Sequence, residues 1–136
     1  MEEQMRMLCG VWKDAWQGMV MAEISWKEGT PKASCGVHVK EGRLIRLSAC
    51  TDGGELSMVL LPFHAGKCPQ KGREGEPWRL FTAAEVHHFS DALRDHNAIH
   101  QGVQPIVSGF QLLLSLVAMY PGKAIRLRFH HPVRAG

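Results

Sequence analysis

The run 109–120 constrains the fold more than any other part of the chain. Phe110, Leu112, Leu113, Leu114, Leu116, Val117 and Met119 fall on every side of a helix and leave it almost no polar face. A helix that is apolar all round has to be covered all round, so the rest of the chain must wrap it. Pro121-Gly122 ends it sharply. At about a dozen residues the apolar run is too short to cross a bilayer.

The wrapping material reads as β-structure. Val20, Ala22, Ile24 and Trp26 alternate with Met21, Glu23 and Ser25, and Ala33, Cys35, Val37 and Val39 alternate with Ser34, Gly36, His38 and Lys40. A period of two is that of a half-buried strand. Turn-forming residues at 27–31 separate these two runs, Glu41-Gly42 precedes a third at 43–50, and Thr51-Asp52-Gly53-Gly54 precedes a fourth at 55–61. Residues 18–62 are therefore predicted to be an antiparallel strand meander. Ile125, Leu127 and Phe129, alternating with Arg126, Arg128 and His130, predict one more strand. The stretch 64–77, HAGKCPQKGREGEP, reads as a surface linker between two halves. Residues 1–16 predict a short amphipathic helix with Met5, Leu8, Val11 and Trp12 on one face. The predicted class is α+β, a single domain of 136 residues in which an antiparallel sheet surrounds one buried helix.

Composition narrows the function. A hydrophobic fraction of 45% with 21% charged residues is that of a folded domain. The net charge of +3 suits an anionic, phosphate-bearing ligand and is too weak and scattered for nucleic acid. The four cysteines, Cys9, Cys35, Cys50 and Cys68, form no C-x-x-C pair and read as reduced thiols of a cytoplasmic protein. His64 and Cys68 make half of a metal site with no second pair to complete it, so no metal is expected. Glu2 and Glu3 stand where a secretory leader would be basic, and neither a leader nor a membrane segment is expected.

The second half switches to helical period. Thr82-Ala83-Ala84-Glu85 is a capping box, opening a helix to about Leu93 that buries Val86, Phe89 and Leu93. A polar loop, 95–104, and Pro105 lead into the apolar helix. The order of motifs across 82–136 resembles that of the MaoC-like, R-specific enoyl-thioester hydratases. Their capped helix is followed by Asp-x-Asn-Pro-hydrophobic-His, here Asp95-His96-Asn97-Ala98-Ile99-His100. Their Pro-Ile-Val-His-Gly approach to the buried helix is here Pro105-Ile106-Val107-Ser108-Gly109, and their Pro-Val-x-x-Gly strand corner is Pro132-Val133-Arg134-Ala135-Gly136. Four features depart from the pattern: Leu93-Arg94 replaces a Ser-Gly pair, Ala98 a proline and Ser108 a histidine, and the loop between His100 and Gly109 is short.

The resemblance implies a hot-dog fold, a hydratase or dehydratase activity on acyl thioesters of coenzyme A or acyl carrier protein, no metal or redox cofactor, and a homodimer or higher homo-oligomer. It also implies a circular permutation, because the family continues into further strands where this chain stops, and 18–62 looks like those strands. Asp95 and His100, five residues apart, would share the acid and base roles with a water between them. The Gly109 N–H, at a helix N-terminus where the dipole favours negative charge, would face the enolate oxygen, and its missing side chain would let the thioester carbonyl approach. Asn97 would fix the loop by bonds to backbone, and Ser108 would cap the helix or meet substrate. Simpler readings stand beside these. Asp and Asn after a helix are common turn formers, His87, His88, His130 and His131 are ordinary surface or half-buried histidines, and Arg126, Arg128 and Arg134 face solvent rather than coenzyme phosphates. Two other functions remain open: a thioesterase of the same fold, and a non-catalytic acyl-binding subunit.

Overall fold

The computed structural model describes residues 1–29, 35–62 and 78–136. Helix α1 (Glu2–Gly10) leads through a short 3-10 turn, Asp14–Trp16, into strands β1 (Met19–Glu28), β2 (Gly36–Glu41), β3 (Ile45–Thr51) and β4 (Gly54–Pro62). Helices α2 (Ala83–Leu93) and α3 (Gly109–Met119) follow, and β5 (Ile125–Arg128) completes the sheet. The strand order is β2-β3-β4-β1-β5, with antiparallel neighbours throughout. The predicted linker 64–77, the turn residues 30–31 and the start of the second alternating run at 33–34 lie outside the described residues.

One face of the sheet is apolar because alternate residues of β3, β4 and the second half of β1 point to it. Ile45, Leu47 and Ala49 of β3, Leu56, Met58 and Leu60 of β4, and Ile24 and Trp26 of β1 are buried in one cluster. Gly54 fixes the tight β3–β4 turn: its φ is +154°, and a Cβ there would lie 2.6 Å from both Lys27 O and the Trp26 ring.

Two helices share this apolar face, and that corrects the expectation of one fully wrapped helix. α1 lies over β3 and β4, sending Met5 and Leu8 into the core, while α3 lies over β1 and β5. Only the first half of α3 is buried, from Gly109 to Leu113; Leu114 to Val117 are half-buried, and Met119 and Tyr120 are exposed. α1 is shorter than predicted, with Val11 and Trp12 half-buried just beyond its end. A polar residue, Gln4, anchors it: its buried amide donates to Thr51 Oγ1 at 2.7 Å and to Gly54 O at 3.4 Å.

A second departure lies in β1. A bulge between Met21 and Glu23 breaks the alternation, so Met21 pairs with Leu60 and Ile24 with Met58, and Ala22 is the extra residue. The bulge brings Met21, not Ala22, to the inner face beside α3. The Ala22 carbonyl accepts the Phe129 N–H at 2.9 Å, which carries pairing past the end of β5.

Candidate active site

The motif loop begins where α2 ends. The capping box is formed as predicted, with Glu85 N–H donating to Thr82 Oγ1 at 3.1 Å and Thr82 N–H donating to Glu85 Oε2 at 2.8 Å. At the other end Arg94 adopts the left-handed conformation (φ 58°, ψ 40°), and Asp95 N–H closes the helix on Ser90 O at 2.9 Å. This reversal turns Asp95 inward.

His100 closes a 3-10 turn, Ala98–His100. Its Nδ1 lies 2.7 Å from the Ile106 carbonyl, which can only accept, so Nδ1 carries a proton. Its Nε2 lies 3.3 Å from Asp95 Oδ2, and both side chains are only 8% exposed. The second nitrogen of the ring therefore faces the carboxylate. Asp95 Oδ1 also accepts from Asn97 N–H at 3.1 Å.

Asn97, 3% exposed, ties this loop to the other half of the chain. Its Oδ1 accepts from Gly18 N–H at 3.1 Å and from Ile99 N–H at 3.5 Å, and its Nδ2 donates to Met19 O at 2.8 Å. Gln17 grips the same loop from outside: its amide donates to His96 O at 2.8 Å and accepts from Ala98 N–H at 2.9 Å. The C-terminal residues hold the far side, with Val107 N–H on Val133 O at 2.7 Å and Ala135 N–H on Pro105 O at 3.0 Å.

Asp95, Asn97, His100 and Gly109 line one cavity of about 130 Å³. Its remaining wall is largely apolar, from Met21 and Phe110 to Leu8, Met58 and Leu60, while the exposed His130 and His131 border its outer end. Gly109 is the first residue of α3, and its N–H meets no acceptor among the described residues. The space beside its Cα is not open, however. A Cβ at Gly109 would collide with Met21 Sδ and stand 3.3 Å from Phe129 Cε2. The end of the Met21 side chain, carried inward by the bulge, therefore fills the space that the missing Cβ leaves at the helix start.

The other predicted site residue, Ser108, caps α3, its buried hydroxyl accepting Phe110 N–H at 3.3 Å. Arg126 and Arg128 pair with Glu23 on the polar side of the sheet, at 2.7 and 3.4 Å. Among the described residues no group of three His, Cys, Asp or Glu side chains gathers as a metal site. No helix of the described residues is long and apolar enough to cross a membrane. Sequence reasoning missed Gln17, Met21 and Cys9. Cys9 lines the cavity, and burial, with a smaller push from the Asp95 charge, raises its thiol to about 12.

No family model and no curated protein matches the chain. Among solved structures it is similar to HtdX from Mycobacterium tuberculosis, at 18% sequence identity and a TM-score of 0.54, over 96% of this chain and 69% of that one. The likeness is one of fold, and with the antiparallel sheet packed on α3 it gives the chain an α+β, hot-dog architecture.

Proposed function

We propose that this protein is a hydratase or dehydratase that interconverts trans-2-enoyl and 3-hydroxyacyl thioesters of coenzyme A or acyl carrier protein. The observation that carries this reading is the buried Asp95 Oδ2–His100 Nε2 contact, lining the same cavity as the start of α3. Water held by the pair gives it a proton as the water oxygen bonds to Cβ. The Cα=Cβ electrons shift into the thioester carbonyl, and the pair returns a proton to Cα. The enolate oxygen formed in between faces the Gly109 N–H and the positive end of α3. The reverse sequence eliminates water. No metal or redox cofactor enters these steps.

The ordered motif from Asp95 to Gly109 supports placing the chain with the MaoC-like hydratases. The antiparallel pairing of β1 with β5 supports the permuted order, since it stitches 18–62 directly onto the last strand. The bare end of α3, beside the edge strand β5, supports a homodimer. A cytoplasmic setting belongs to the same reading.

The test follows the loss of enoyl-thioester absorbance with crotonyl-CoA in wild type, Asp95→Asn and His100→Ala. Loss without thiol release, abolished by both substitutions, is the expected outcome; thiol release would point to a thioesterase. One observation favours a second reading, a non-catalytic acyl-binding subunit: Met21 occupies the space beside Gly109 that a thioester carbonyl would use. Tight acyl-CoA binding with no turnover would establish it.

A further inference from the structure

We propose that α1 closes the acyl cavity and limits the chain it admits to about four to six carbons, with Leu8 and Trp12 as the stop. The inference rests on the acyl-thioester reading and adds a substrate class to it. The cavity has two unlike ends. Exposed His130 and His131 border one, whereas Leu8, Met58 and Leu60 at the other are buried. An acyl chain whose carbonyl lies near Gly109 therefore extends from the outer end towards Leu8.

The stop is firmly held. Leu8 is 0% exposed, α1 is pinned by Gln4 to Thr51 and Gly54, and Trp12 stacks edge-on against buried Trp16 with ring centroids 5.6 Å apart. Because α1 covers β3 and β4, a longer chain finds no path along the apolar face of the sheet. The cavity of about 130 Å³ sets the scale. An engineered protein cavity of about 150 Å³ takes up benzene, six carbons, so about four to six acyl carbons fill this one. Each methylene that fits should raise kcat/KM about four-fold, the equivalent of ~0.8 kcal/mol of buried CH2. Beyond the stop, each must displace packed side chains.

The experiment measures kcat/KM for trans-2-enoyl-CoA chains from about four to ten carbons in wild type, Leu8→Ala and Trp12→Leu. Wild type is expected to peak at about four to six carbons and to fall at least ten-fold by about ten. Each variant should move the peak up by about two carbons. Trp12 is half-buried, so its variant serves where Leu8→Ala does not fold. A wild-type profile still rising at about ten carbons, or an unshifted peak in a folded variant, overturns the inference while leaving hydration intact. If wild type hydrates no enoyl-CoA, a carrier-protein substrate or a binding role remains, and calorimetric Kd values for saturated acyl-CoAs decide the length limit. Affinity that peaks by about six carbons upholds it; affinity that keeps rising, or no binding at all, overturns it.

Discussion

Replacing Asn97 by alanine tests whether the loop that carries Asp95 and His100 depends on its tether to β1. The side chain is buried and makes two good long-range bonds, accepting from Gly18 N–H at 3.1 Å and donating to Met19 O at 2.8 Å. Alanine removes both and leaves a backbone donor and a backbone acceptor without their partners. Each orphaned buried group costs about 1–3 kcal/mol, and the adjoining cavity lets water recover part of that, so the expected loss is about 2–4 kcal/mol. For a domain of this size that lowers Tm by roughly 8–15 °C. The loop carries both Asp95 and His100, so its displacement should also lower kcat by about ten- to a hundred-fold with little change in KM. Calorimetry and the crotonyl-CoA assay read the two effects. Gln17→Ala is the control: its bonds to the same loop are exposed, and its loss should stay below about 1 kcal/mol. A change under ~0.5 kcal/mol in Asn97→Ala, with activity intact, would refute the view that the tether holds the pair in place.

Two further predictions concern stability. Arg94 holds a left-handed conformation that glycine adopts freely, so Arg94→Gly should raise stability by about 0.5–1 kcal/mol, read as a higher urea midpoint at unchanged slope. Cys9 titrates at about 12 in the folded chain against 9.0 for the free thiol, so the folded state keeps a proton that the unfolded state loses. Its stabilising contribution is full below pH 9 and is lost as pH rises towards 12. In that window the stability of wild type should fall faster than that of Cys9→Ala, by up to about 1.4 kcal/mol per pH unit, and parallel curves would sink the assignment.

The legible parts of the fold were those written in local chemistry. The Thr82–Glu85 box announces the start of α2 within four residues, and Ser108 does the same for α3. Alternation in β4, and in β3 as far as Ala49, gives the buried set because one face of each strand is covered. β1 misleads for a physical reason: Val20, Met21 and Ala22 are all apolar, so either Met21 or Ala22 could be the inward residue, and neither glycine nor proline marks the bulge. The uniformly apolar α3 misleads differently. Composition records that a surface is apolar, but not whether this chain or a second copy covers it, and within this chain α1 takes the place over β3 and β4.

The candidate site follows the same division. Asp95 and His100 could be read because motif order and short spacing place them on one loop, and the Ile106 carbonyl that sets the histidine tautomer lies only six residues on. Asn97 was legible as a loop-fixing residue, yet the backbone it holds most closely lies in β1, across the whole length of the strand meander. Gln17 carries no signal at all, since an exposed glutamine before a glycine has no local pattern that points to residues 96 and 98. The second half of the chain thus supplies Asp95 and His100, and the first half supplies both the tether and the cavity floor at Leu8, Met58 and Leu60. A site divided in this way forms only when the meander has docked on α2 and α3. Its assembly should therefore be lost together with the β1–β5 pairing in a single cooperative transition, whatever the isolated helices retain.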